Sequence, residues 1–250
     1  MNNLVIITGS SGSIGRALTH EYLDSGFTVI GIDKILRKDI NSINFFEIEL
    51  DLNIYAVDEK FRKQINERIL SFFPKKLSSF VLINNAATQI IKNFDEILLE
   101  DLNRSISING LSAFFLVKSF LQYLENSSGH VINLGSIHTK LTKPGFLCYA
   151  ISKNLLHSLT KSLSLELAPR NISINSVSPA AIQTDMLLDG FKNNPKAFQQ
   201  LKKYHPTNDI GNPTGLAKFI KMITDNNDTF LNGSNIEYTG GISNRLHDPV

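Results

Sequence analysis

One cysteine, no tryptophan and almost no net charge mark this 250-residue sequence. Cys148 has no second cysteine to pair with, so the chain forms no internal disulfide and suits a reducing cytoplasm. Lys and Arg number 25 against 23 Asp and Glu, a formal charge of +2. That is too little for the electrostatic footprint of a nucleic-acid binder. No apolar run approaches the roughly 20 residues needed to span a bilayer. The start, Met1-Asn2-Asn3 and then four apolar residues, has neither the basic beginning nor the apolar length of a signal peptide. No Gly/Ser/Pro-rich linker or change in composition divides the chain, and no His/Cys/Asp/Glu cluster has metal-ligand spacing. The expectation is one cytoplasmic domain over 1–250 that binds no nucleic acid, membrane or metal.

Apolar side chains, 42% of residues, are sufficient for a full core. Short apolar runs alternate with longer helical patterns. Strands are predicted at Leu4–Ile7, Phe27–Ile32, Phe45–Leu50, Phe80–Ile83, His130–Leu134, Ile172–Val177 and Asn235–Tyr238. Helices are predicted at about Ile14–Ser25, after Asp51 to about Phe73, at about Leu99–Leu124 and at about Phe146–Leu167. Fully apolar strands separated by helices indicate an α/β fold: a Rossmann-like, doubly wound parallel sheet of about seven strands with helices on both faces. Such sheets bind ligands beyond the carboxyl ends of their strands.

The first of those ends is Thr8-Gly9-Ser10-Ser11-Gly12-Ser13-Ile14-Gly15, between the first strand and the first helix. Glycines there permit a tight turn and a close backbone approach, and the helix N-terminus offers free N–H groups to a pyrophosphate. Asp33 lies 18 positions after Gly15 at the end of the second strand. A carboxylate in that place accepts hydrogen bonds from both adenosine ribose hydroxyls and repels a 2′-phosphate, which favours NAD over NADP. Lys34, Arg37 and Lys38 count against that preference unless they are solvated loop charges. Asp51 is a further candidate, for the adenine.

Tyr149 and Lys153 stand four positions apart on one face of a helix. An ammonium about 4 Å from a phenol contributes on the order of 4 kcal/mol at an effective dielectric near 20. That is enough to lower a tyrosine pKa by as much as about three units. Ser136 precedes Tyr149 by 13 residues, and Asn109 lies in the preceding long helix. With Asp51-Leu52, Asn84–Ala87, Ser178-Pro179 through Thr184 and the late Gly240-Gly241, these elements run in the order and spacing of one family. The chain resembles the short-chain dehydrogenase/reductases, in their short single-domain branch, over nearly its whole length.

The resemblance implies hydride transfer between NAD(H) and a small-molecule secondary alcohol or ketone. It makes Tyr149 the acid/base, Ser136 the group that polarises the substrate oxygen, and Lys153 the residue that holds the nicotinamide ribose and lowers the tyrosine pKa. Asn109 becomes the anchor of a water relay to Lys153. Cofactor contacts are implied for Gly9, Ser11, Gly12, Ser13, Ile14, Gly15, Asp33, Asp51, Leu52, Asn85, Ala86, Tyr149, Lys153, Pro179, Ile182 and Thr184. Gln89, His138 and Ala181 are substrate candidates, and about 186–206, with Phe191, Phe198 and Tyr204, corresponds to a mobile lid. Lys140 and Lys143 hint at an anionic substrate, against their reading as solvated charges. The long helices are apolar around much of their circumference, which fits a homo-oligomer, a dimer or tetramer.

Three positions depart from the family pattern. The second glycine stands at Gly12 rather than at Ser13, a spacing of the longer branch of epimerases and dehydratases, while Ala87 and Ala180 replace usual glycines. The alternatives are therefore an epimerase or dehydratase using transient hydride transfer and a non-catalytic dinucleotide sensor.

Overall fold

The computed structural model describes residues 2–226 and 229–246. The first half of the chain forms β1 (Asn3–Thr8), α1 (Ser13–Asp24), β2 (Thr28–Asp33), β3 (Phe45–Glu49), α2 (Leu52–Val57), α3 (Glu59–Leu70) and β4 (Ser79–Asn84). There follow α4 (Leu99–Ile106), α5 (Ser112–Ser119), α6 (Leu121–Glu125), β5 (Ser128–Leu134), α7 (Leu147–Leu167) and β6 (Ile172–Pro179). The last elements are α8 (Asp185–Phe191), α9 (Pro195–Tyr204), α10 (Pro213–Asp225) and β7 (Asn235–Tyr238).

The seven strands make one sheet in the order β3-β2-β1-β4-β5-β6-β7, and every neighbouring pair is parallel. Alternation along each strand builds two cores. Leu4 and Ile6 of β1, Ile30 and Ile32 of β2, and Phe80 and Leu82 of β4 face Tyr55, Ile69, Leu116 and Phe120 from α2, α3 and the α5–α6 segment. Val5 and Ile7, Val29, and Val81 and Ile83 face Leu18 and Tyr22 of α1 and Leu216 and Ile220 of α10. Each such fully buried side chain is worth roughly 1.5–3 kcal/mol. This is the doubly wound arrangement expected of the apolar strands.

The helix boundaries differ from expectation at two places. The stretch after Asp51 is two helices, because Asp58 is extended and its carboxylate caps the second by accepting from Phe61 N. The stretch 99–124 is interrupted by a π-turn at Ser107–Leu111 and by a break at Phe120, where φ is −109° and ψ 15°. At the π-turn the side chain of Asn109 bonds to Thr88, and Gly110 lies so close to α7 that a Cβ there would come within 2.7 Å of Leu155. At the break, the buried Phe120 ring packs on Phe73 and Phe80.

Strand order reverses between β1 and β4, since the chain steps outward from β1 to β3 and then returns to β4. A crevice opens beyond the carboxyl ends of strands at such a point. Thr8 Oγ1 accepts from the backbone N–H groups of Asn85 and Ala86, both at 3.0 Å, and Asn85 Nδ2 donates to Thr8 O and Gly9 O. These bonds fix the glycine-rich turn against the end of β4.

Candidate active site

A groove of about 780 Å³ runs along the carboxyl edge of the sheet from Asp33 to Ser136. Its first wall is the turn between β1 and α1. Gly9 has φ +68°, a backbone that glycine alone adopts freely, and a Cβ there would lie 2.9 Å from Ala86 Cα. Gly15 is held more tightly, for a Cβ would sit 2.0 Å from Gly9 O. Gly12 is different: its φ is −75° and a Cβ would make an ordinary 3.5 Å contact. The displaced second glycine is thus not required by the backbone. Ser13, at the position where the family carries glycine or alanine, uses its hydroxyl, which accepts from Asp185 N at 2.9 Å.

This wall fits the diphosphate of a dinucleotide. No side chain caps the N-terminus of α1, so its first N–H groups have no side-chain acceptor. The Ser11 hydroxyl is buried with no hydrogen-bond partner beside them. Asp33 is partly engaged: Oδ2 accepts from Ser11 N at 2.9 Å and Oδ1 from Ile35 N at 3.3 Å. Asp51 caps α2 through Asn53 N and pairs with Lys34 at 2.8 Å. Burial, the largest influence, raises its carboxyl, but Lys34, the Asn53 N–H bond and the Arg104 charge together lower it. Of the residues expected to touch the cofactor, all line the groove except Ser11, whose side chain is buried.

Ser136 and Tyr149 face the other end. Ser136 starts a 3-10 turn at Ile137–Thr139 and accepts from His138 N at 3.2 Å. Tyr149 stands in the first turn of α7, with Lys153 one turn on. Lys153 is 2% exposed and donates to Leu134 O at 2.6 Å, with its Nζ 5.7 Å from the Tyr149 ring centroid. Burial lowers its pKa to about 8.

The expectation of a lowered Tyr149 pKa is corrected here. Burial raises the phenol above its ordinary value, and the opposing Ser136 hydroxyl does not reverse that. The physical reason is burial of both groups: it raises the phenol directly and also lowers Lys153, so desolvation outweighs what the neighbours offer the phenolate. Tyr149 is therefore a protonated phenol at neutral pH.

Asn109 does not line the groove. Its Oδ1 accepts from Thr88 N at 2.8 Å, and its Nδ2 donates to Thr88 O at 2.9 Å and Ser152 Oγ at 2.8 Å. With both amide protons engaged, any water must use the remaining lone pair of Oδ1. Asn109 thereby fixes the segment after β4 that carries Thr88 and Gln89 against α7.

Gln89, His138 and Ala181 all line the groove, as do Met186 and Phe191 of α8 and Leu201 of α9. His138 is held between Phe146, stacked at 4.6 Å and 3°, and the edge of Tyr149, at 5.6 Å. Two residues of this region carry no sequence signal. Asp185, besides its bond to Ser13, pairs with Arg37 at 3.2 Å across 148 positions of chain. His205, 2% exposed, donates from Nδ1 to Leu201 O at 2.9 Å and leaves Nε2 buried without a partner.

A family model described as short chain dehydrogenase matches residues 3–194. The chain belongs to that family. Its members are oxidoreductases of CH–OH and C=O groups that bind a nicotinamide dinucleotide. Among curated relatives, the enzyme is 28% identical to a 3-oxoacyl-[acyl-carrier-protein] reductase of Buchnera aphidicola, over 94% of this chain and 95% of that protein. It is 26% identical to 3beta-hydroxysteroid dehydrogenase 1 of Eggerthella lenta, over 96% and 93%. Among solved structures, ElxO with NADP bound superimposes with a TM-score of 0.86 at 26% identity, covering 98% of this chain and all of that one. Among the described residues no helix is long and apolar enough to cross a membrane.

Proposed function

We propose that the enzyme is an NAD(H)-dependent oxidoreductase that interconverts a secondary alcohol and a ketone, with Tyr149 as acid/base. The observation that carries this reading is one groove with Ser136, Tyr149 and Lys153 at one end and Asp33 at the other. The nicotinamide, when bound, supplies or accepts the hydride. Ser136 and Tyr149 hold the substrate oxygen. In the reducing direction the Tyr149 phenol, protonated at neutral pH, gives its proton to that oxygen. The Lys153 ammonium then stabilises the phenolate left behind, by on the order of 3 kcal/mol for a charge 5.7 Å from the ring at an effective dielectric near 20.

The choice of NAD rests on the adenosine end. Asp33 repels a 2′-phosphate, and the cations that line this end face carboxylates, Lys34 paired with Asp51, Arg37 with Asp185 and Arg104 acting on Asp51. The region 186–206 is assigned as a lid on a single domain: Met186, Phe191 and Leu201 turn toward the groove, and Phe198 packs on Phe191. A homo-oligomer formed through α7 is supported by Leu147, Ile151 and Leu155, three exposed apolar residues at four-residue spacing.

A panel of secondary alcohols and ketones, assayed in parallel with NAD(H) and NADP(H), tests the proposal. The expected result is stoichiometric loss or gain of the reduced-nicotinamide band with preference for NAD(H). Binding without net change in that band, or preference for NADP(H), overturns it.

A further inference from the structure

The loop between Ser136 and α7 carries two lysines in different surroundings. Lys140 Nζ is 3.2 Å from a Glu237 carboxylate oxygen. Lys143 forms no ion pair among the described residues, and its Nζ rests 4.5 Å from the centroid of the Phe146 ring. Phe146 is buried and lies 6.4 Å from the Tyr149 ring, while His138 stacks on Phe146 and meets Tyr149 edge to face. Lys143 is thus a cation seated on an aromatic cluster that includes the acid/base. A cation on a ring face is held in place and keeps its N–H donors available.

The rest of this half of the groove shapes what that cation can meet. Ile137, Leu141, Met186, Leu187, Phe191 and Leu201 supply an apolar wall. The carboxylates of the groove, Asp33, Asp51 and Asp185, are each already bonded to backbone N–H groups or a cation at the opposite end. Among the described lining residues, the substrate half has two lysines, Lys153 buried on Leu134 O and Lys143, and no acid to neutralise either. Burial and the Lys143 charge together hold His138 below the ordinary imidazole pKa, so it is neutral and adds no second charge. Its Nδ1 lies 3.1 Å from Thr142 Oγ1.

We infer that Lys143 anchors a carboxylate of the substrate, so that the enzyme acts on a hydroxy or oxo acid with an apolar chain. The inference rests on the reading that Ser136 and Tyr149 hold the reacting oxygen. The acid group sits on Lys143, the oxygen on Tyr149, and the hydrocarbon lies under the lid.

The test uses NADH-loaded enzyme titrated with 2-, 3- and 4-oxooctanoate and with their methyl esters, followed by nicotinamide fluorescence and, for compounds that react, by kcat/KM. At least one acid should bind about tenfold more tightly than its ester, the size of a hydrogen bond to a charged group. Lys143→Met should remove that advantage while leaving ester and NADH affinity unchanged, and Lys140→Met should preserve it. An acid-to-ester ratio unchanged by Lys143→Met overturns the inference, as does equal or absent binding of all acids and esters to enzyme that binds NADH. Failure to bind NADH, or turnover that persists in Tyr149→Phe, instead overturns the underlying redox reading.

Discussion

At the adenosine end of the groove Lys34 lies 2.8 Å from Asp51 and Arg37 3.2 Å from Asp185, whereas at the substrate end Lys143 has only the face of Phe146. The backbones of the two ends differ in the same sense. Gly9, Gly15, Thr8 and Asn85 interlock at the first, with no room for an added methyl group. The second is walled by α8 and α9, which carry no fully buried side chain among them. The end that meets an invariant ligand is rigid and sets its cations against aspartates. The end that meets the variable ligand is apolar, loosely packed and holds two lysines without an acidic partner, Lys143 at its mouth and the buried Lys153.

The largest effect expected of breaking this contrast is at Gly15. A Cβ there would lie 2.0 Å from backbone that cannot swing away, so Gly15→Ala costs at least about 3 kcal/mol of stability and abolishes NADH binding. Thermal unfolding and fluorescence titration check both. Next in size is Lys153. Its pKa is lowered to about 8, so the ammonium is present below that pH and lost above it. Ketone reduction should therefore fall as pH rises through about 8. Lys153→Met should slow it roughly 100-fold at neutral pH, from the loss of about 3 kcal/mol of phenolate stabilisation. Lys153→Arg, which stays charged, should flatten the alkaline limb in whatever activity it keeps. A pH–rate profile of each variant decides.

The smallest effect is at Asp185. Its pair with Arg37 is largely exposed and such pairs are worth roughly 0–1 kcal/mol. Asp185→Asn should therefore improve NADPH binding relative to NADH by only about two- to fivefold, by freeing Arg37 for a 2′-phosphate. Asp33→Asn removes the repelling charge itself and should shift the same ratio further. Parallel titrations of both variants with both nucleotides measure the difference.

The parallel sheet was readable from the chain because each strand is a short apolar run ended by a turn residue, as Leu4–Ile7 before Thr8-Gly9 shows. The groove was readable for the same reason, since nearly every expected contact residue follows such a run. Three features were not. The π-turn at Asn109 depends on Thr88 and Leu155, which are remote in sequence and share no periodicity with it. The bonds of Asp185 to Ser13 and Arg37 span 172 and 148 positions, and an aspartate at a helix start reads only as a first-turn residue. The raised Tyr149 pKa depends on burial, while spacing alone suggested a close ammonium. Likewise Lys140 and Lys143 are indistinguishable until Glu237, nearly 100 residues later, is brought beside one of them.

Tyr149→Phe gives the most direct test of the central claim, because it removes one hydroxyl and leaves the ring contacts with His138 and Phe146 in place. NADH affinity should stay within about twofold of the unaltered enzyme, while turnover of any ketone the enzyme reduces should fall by about 100-fold to 10,000-fold. Turnover that survives the substitution would contradict the assignment of this phenol as the proton donor.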